Sequence, residues 1–79
     1  MSDHYELGGF EAIDVIEAVI NNDNLTPDQA FAVGNALKYL LRLGKKDDVA
    51  DELYKAEDYI HRARTGRWLM EARYLEGKR

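Results

Sequence analysis

The segment 26–44, TPDQAFAVGNALKYLLRLG, decides the fold because it contains both a helix start and a helix stop. Thr26 can cap a helix, Pro27 suits the first helical position, and Gln29 stands where a capping-box partner belongs. Apolar side chains then recur at helical spacing as far as Leu43, and a glycine follows as the stop signal. The segment therefore predicts a helix that begins after Thr26 and runs to about Leu43.

Helices are predicted on both sides of this segment. Before it, isoleucine and valine recur at helical spacing between residues 10 and 20, and an Asn-Asn-Asp-Asn run ends the helix. After it, Asp47 and Asp48 open a helix with a narrow apolar stripe, which Gly66 ends. The stripe consists of Val49, Leu53, Ala56, Ile60 and Ala63. A short fourth helix could run over residues 68–76. Because no segment alternates like a strand, the predicted fold is all-α, a small bundle of three to four helices.

The length of the chain predicts self-association. A chain of 79 residues hides only ~60% of the surface that its unfolded form exposes, so its core is marginal without help. The chain has no cysteine for a disulfide, and His4 and His61 lack the spacing of zinc ligands. Partner subunits therefore remain as the means of stabilising the small core. We therefore expect a homo-oligomer in which residues 1–9 form an arm and residues 10–64 the helical core. Residues 65–79 are then a helix or tail that contacts another subunit.

The composition excludes several classes of protein. The N-terminus has neither the basic start nor the apolar core of a signal peptide, and no apolar run approaches the length of a membrane span. We expect a cytoplasmic protein without a membrane partner. The net charge of −4 argues against a DNA partner. The GxxxxGK[ST] loop is absent, which excludes a conventional P-loop kinase.

A basic row on the second helix is the first group of residues that could bind a ligand. Steps of three and four residues place Asn35, Lys38, Arg42 and either Lys45 or Lys46 along one face. Arginine offers a planar fork to a phosphate and lysine a point charge, so the row predicts an anion site. The tyrosines that could stack on a base are Tyr5, Tyr39, Tyr54 and Tyr59. The alternative is a solvated face, or one that pairs with the acidic first helix.

Two groups of carboxylates could instead share a magnesium ion, as in helical nucleotide pyrophosphohydrolases. They are Glu11, Asp14 and Glu17 on the first helix, with Asp48, Asp51 and Glu52 on the third. The second group also has the composition that any helix N-terminus favours. A further possibility is the arm, where His4 and Tyr5 precede Gly8-Gly9 and could close over a ligand, or form a plain tail.

Five blocks of residues, in this order, resemble domain-of-unknown-function family 3310, which is found mostly in bacteriophage and prophage genomes. The blocks are His4-Tyr5, Gly8-Gly9-Phe10-Glu11-x-Ile13-Asp14-x-Ile16-Glu17, Gly34-Asn35-Ala36-x-Lys38-Tyr39-Leu40-x-Arg42, Gly44-Lys45-Lys46 and Lys55-Ala56-x-x-Tyr59-Ile60. The resemblance covers about residues 3–63. Tyr54 departs from the pattern, because a lysine usually stands there. Residues 65–79 lie beyond the match.

The resemblance implies a link to nucleotides, since a similar domain forms part of a longer phage kinase that phosphorylates deoxynucleoside monophosphates without a P-loop. The residues that the resemblance places at the family's motif positions are His4, Tyr5, Asn35, Lys38, Tyr39 and Arg42. With Lys46, these are the predicted ligand-binding residues. We expect no catalytic residue, no metal and no cofactor.

Three functions follow from these observations. The first is a phage protein that binds a nucleotide, cyclic or not, and sequesters a signal of host immunity. The second is a nucleotide kinase module, and the third a metal-dependent nucleotide hydrolase. A kinase must seat a donor, an acceptor and usually magnesium, which is difficult for one short chain with one basic row. Binding without turnover is therefore favoured.

Overall fold

The computed structural model describes residues 11–68, which form three α-helices and no strand. They are α1 (Ala12–Ile20), α2 (Pro27–Leu41) and α3 (Val49–Thr65). The all-α prediction is confirmed. The predicted arm, residues 1–9, and nearly all of the predicted fourth helix, residues 68–76, lie outside the described residues.

The predicted start signals act as expected. The Thr26 hydroxyl accepts a hydrogen bond from the backbone N–H of Gln29 at 3.1 Å, and the Gln29 side chain accepts one from the Thr26 N–H at 3.0 Å. This reciprocal pair is a capping box, and it satisfies two donors at the start of α2. At α3, the Asp48 side chain accepts from the backbone N–H of Ala50 at 3.1 Å.

The helix ends agree less closely with the prediction. Gly66 has φ +81° and ends α3 in the left-handed conformation, which glycine adopts without a steric penalty. By contrast α2 ends at Leu41, two residues before the predicted boundary, and Arg42 already has φ −110° and ψ 22°. The chain turns here because Gly44, with φ +78°, directs it towards α3.

The second helix lies in the middle of the fold. It packs against both α1 and α3, whereas α1 and α3 do not pack against each other within the described part of the chain. The buried hydrophobic side chains there are all alanines, namely Ala12, Ala32, Ala36 and Ala56. Alanine allows close helix approach but buries little apolar area, so this core contributes modestly to stability. None of these helices is long and apolar enough to cross a membrane.

The predicted apolar stripe of α3 is buried only in part, at Ala56. Val49, Leu53 and Ile60 remain about half exposed, and the fully buried side chain at the centre of the interface is Glu52. An acidic residue can occupy this position because Arg42 reaches it from the end of α2. The ion pair thus sets which side of α3 faces α2.

Candidate ligand-binding surface

A row of aromatic rings crosses from α2 to α3. Tyr39 stacks nearly parallel on Tyr59, with ring centroids 5.9 Å apart and an interplanar angle of 22°. Tyr59 also meets Phe31 edge-on at 6.4 Å and Trp68 edge-on at 5.1 Å. Such geometries are the favourable ones for aromatic pairs. Tyr59 is therefore the ring through which the other three are joined.

Cationic groups gather at the same place. Three of them lie near the Tyr39 ring centroid, with Arg42 Cζ at 4.8 Å, Lys38 Nζ at 5.0 Å and Lys55 Nζ at 5.5 Å. A fourth, Arg62, has its Cζ 5.6 Å from the Trp68 ring. These distances are within cation–π range. We call the combined set the aromatic–cationic surface: Phe31, Lys38, Tyr39, Arg42, Lys55, Tyr59, Arg62 and Trp68.

Arg42 does not occupy the solvent-facing position that the helical spacing indicated. It is only 9% exposed, and its Nε donates to the Glu52 carboxylate at 3.2 Å. The other carboxylate oxygen of Glu52 accepts from the backbone N–H of Gly44 at 3.0 Å. A carboxylate on α3 is thus one partner of this arginine. Whether Arg42 also contacts a ligand stays a prediction.

The two lysines at Tyr39 are more accessible than Arg42. Lys38 is exposed. Among the described residues, its ammonium group contacts the Tyr39 ring. Lys55 also lies 4.0 Å from the Asp47 carboxylate, with both side chains nearly half exposed. An exposed ion pair of this kind contributes little and is readily exchanged for another anion. Both lysines can therefore present charge to a ligand.

Of the other predicted residues, Asn35 contacts this cluster through a backbone group of Phe31. Asn35 donates its side-chain amide to the Phe31 carbonyl at 2.9 Å, within its own helix. Lys46 is exposed in the turn between α2 and α3, and it makes no ring or ion-pair contact with described residues. His4 and Tyr5 lie outside the described residues. The structure thus brings together Lys38, Tyr39 and Arg42 from the predicted set.

Sequence reasoning named Tyr59 as a possible stacking ring but missed Lys55 and Arg62, which α3 also supplies. Lys55, Tyr59 and Arg62 recur at steps of four and three, which is a helical face that the sequence alone could have revealed. What the sequence could not give is the register of α3 against α2. That register depends on the Arg42–Glu52 pair, which couples residues ten positions apart.

Two carboxylates of the magnesium alternative have structural roles. Glu52 is buried in the ion pair with Arg42, and Asp48 caps α3. Residues 11–68 contain no group of three or more His, Cys, Asp or Glu side chains arranged to hold a metal ion. Both carboxylate oxygens of Glu52 have partners within the fold, which argues against Glu52 as a member of the magnesium alternative.

Burial raises the pKa of Tyr59 above its usual value of 10.0, and the nearby Tyr39 and Asp58 raise it further. Each of these causes disfavours a phenolate at this position. Tyr59 therefore stays protonated at neutral pH, and the centre of the aromatic row adds no negative charge beside the four cations.

Comparison with known proteins gives a single family. The model of a family described as a protein of unknown function, DUF3310, matches residues 1–61. No curated protein matches the chain, and no solved structure does so. The match covers α1, α2 and most of α3, including all the residues of the aromatic–cationic surface except Arg62 and Trp68. The chain belongs to this family.

Proposed function

We propose that this DUF3310 protein binds a nucleotide on its aromatic–cationic surface. The observation that carries the proposal is the convergence of Lys38, Arg42 and Lys55 within 5.5 Å of the Tyr39 ring centroid. A nucleotide combines an anionic phosphate with a flat aromatic base. A surface that has cations beside stacked rings offers a complement to both parts.

The phosphate would be bound chiefly by Lys38 and Lys55. Both ammonium groups are accessible, whereas Arg42 uses its Nε for Glu52. The base would stack on an accessible ring, for which Phe31 is suited because it is 63% exposed. Stacking of this kind contributes roughly 1–3 kcal/mol per base and tolerates different bases. The surface therefore favours nucleotides as a class over any one base.

Binding without turnover is the function we favour. The Glu52 and Asp48 carboxylates, which a magnesium-dependent hydrolase would require, already serve as an ion-pair partner and a helix cap. The resemblance to a domain of a phage nucleotide kinase supports nucleotides as the ligand class. We infer that the protein acts in the cytoplasm of an infected host, where it sequesters a nucleotide signal of host immunity. A monophosphate kinase module is the second possibility.

The first experiment incubates the full chain with a panel of linear and cyclic nucleotides and analyses the bound and free fractions by chromatography. Recovery of an unchanged ligand supports sequestration. A new di- or triphosphate would instead indicate a kinase, and released pyrophosphate a hydrolase. The incubation is repeated with EDTA, and we expect binding to persist because lysines need no ion to approach a phosphate.

The second experiment tests the surface directly by calorimetry. Lys38→Ala should weaken binding of the captured nucleotide about tenfold to a hundredfold, since a charge-assisted hydrogen bond contributes roughly 1.5–3 kcal/mol. Lys45→Ala is the matched control, because Lys45 is an exposed lysine of the adjoining turn without a ring contact among the described residues. Equal affinities for both variants and the wild type would refute the proposed surface.

A further inference from the structure

A carboxylate lies at the edge of the aromatic–cationic surface. An oxygen of Asp47 is 4.0 Å from the Nζ of Lys55, and the same Nζ is 5.5 Å from the Tyr39 ring centroid. Both side chains of this ion pair are nearly half exposed, so a dissolved anion can reach them. Lys55 thus contacts a ring of the surface and a negative charge at the same time.

The backbone on both sides of Asp47 is tied to α3. The next residue, Asp48, caps this helix by accepting a hydrogen bond from a backbone N–H at 3.1 Å. Three residues before Asp47, the Gly44 N–H donates to the buried Glu52 carboxylate at 3.0 Å. The turn is therefore anchored at both ends, and the short side chain of Asp47 keeps its charge beside the surface when a ligand is bound.

This fixed charge acts on a bound phosphate in two ways. Since Glu52 already offsets Arg42, most of the attraction for a phosphate comes from Lys38 and Lys55. Asp47 competes with the phosphate for Lys55, and the cost of breaking that ion pair is the same for every phosphate. Asp47 also repels the phosphate, and this repulsion grows in proportion to the charge of the phosphate.

We propose that Asp47 is a specificity-determining residue, which disfavours phosphates with two negative charges relative to phosphates with one. The inference rests on the proposed function, in which Lys38 and Lys55 bind the phosphate of a nucleotide. A terminal phosphate has a second pKa of about 6 and carries nearly two charges at neutral pH. A phosphodiester carries one charge. Asp47 therefore shifts the preference of the surface from terminal phosphates towards phosphodiesters.

Calorimetry of the full chain tests the proposal with two probes that differ in the charge of the phosphate. They are adenosine 5′-monophosphate and its phosphate methyl ester, both at about pH 8. Asp47→Asn removes the carboxylate charge and keeps the size of the side chain. The variant should bind the ester about threefold more tightly than the wild type and the monophosphate about tenfold more tightly. The second factor is larger because the repulsion energy doubles with the charge of the ligand.

Glu57→Gln is the matched control. Glu57 is also an exposed carboxylate, but it lies two residues after Lys55 and so on nearly the opposite side of α3. This variant has the same net charge as Asp47→Asn and should bind both probes as the wild type does. Circular dichroism checks that both variants keep their helices.

Three results would overturn the role of Asp47: no gain in affinity, an equal gain for the two probes, or the same gains with Glu57→Gln. In each of them the wild type still binds a nucleotide, so the proposed function survives. If neither probe binds to the wild type or to either variant, the nucleotide function is refuted, and the role of Asp47 is refuted with it.

Discussion

Removal of the Arg42 guanidinium should destabilise the fold, because this group neutralises a carboxylate that has no access to solvent. Glu52 is fully buried and Arg42 is 9% exposed, with 3.2 Å between the Nε and the carboxylate oxygen. Breaking such a pair by removing one partner costs about 3–5 kcal/mol. The lower end applies to Arg42→Ala, since water can reach the edge of the site. For 79 residues the total stability is about 4–12 kcal/mol, so the loss is a large fraction of it.

Urea denaturation at one fixed protein concentration measures this loss. With an m-value of about 1 kcal/mol/M, a cost of ~3 kcal/mol moves the midpoint down by about 3 M. Lys38→Ala is the control, because Lys38 is exposed one turn earlier and should shift stability by no more than ~0.5 kcal/mol. Arg42→Met combined with Glu52→Met should recover part of the loss, since no unpaired charge then remains buried. An unchanged midpoint for Arg42→Ala would refute the reasoning.

Two further predictions concern local features of the fold. The pKa of Tyr59 is raised by burial, so the stability linked to its phenol is intact below about pH 10 and is lost as the pH rises through the folded value. Denaturation midpoints measured across this alkaline range should therefore fall more steeply for the wild type than for Tyr59→Phe. Thr26→Ala should cost ~1 kcal/mol in the same assay at neutral pH, because the capping box is lost. A negligible cost for Thr26→Ala beside a clear cost for Pro27→Ala would show that the N-terminal proline, not the hydroxyl, fixes this end.

The helices could be predicted from the sequence because their signals are local. The capping box at Thr26, the Asp48 cap and the Gly66 stop each involve residues within one helical turn. These contacts form whenever the segment is helical, whatever the rest of the chain does. The boundary at Leu41 was harder, because the turn that follows is fixed by a hydrogen bond from Gly44 to Glu52 on another helix.

Only the arrangement of the site residues that lie on α2 could be predicted, because the spacing signals in a sequence act within one helix. Lys38 and Tyr39 share a face of α2, and spacing along one helix reveals that. Tyr59 and Lys55 approach them from α3, and no spacing rule gives the rotation of one helix against another. That rotation follows from the burial of an acidic residue, Glu52, while the adjacent Leu53 remains exposed. The buried face of α3 is rotated from the predicted stripe towards Glu52, although it still includes Ala56. The charged pair thus outweighed the burial of Leu53.

The position of α2 between two helices that do not touch has a consequence for how the fold opens. Among the described helices, α1 contacts only α2, so detachment of α1 breaks contacts such as those of Ile16 and Ile20 near Gly34. The α2–α3 hairpin, with the ion pair and the aromatic row, stays whole in that partly open state. Cooperative units of this kind open at different free energies within one native protein. The aromatic–cationic surface therefore belongs to the more persistent unit, and α1 can detach while this surface stays intact.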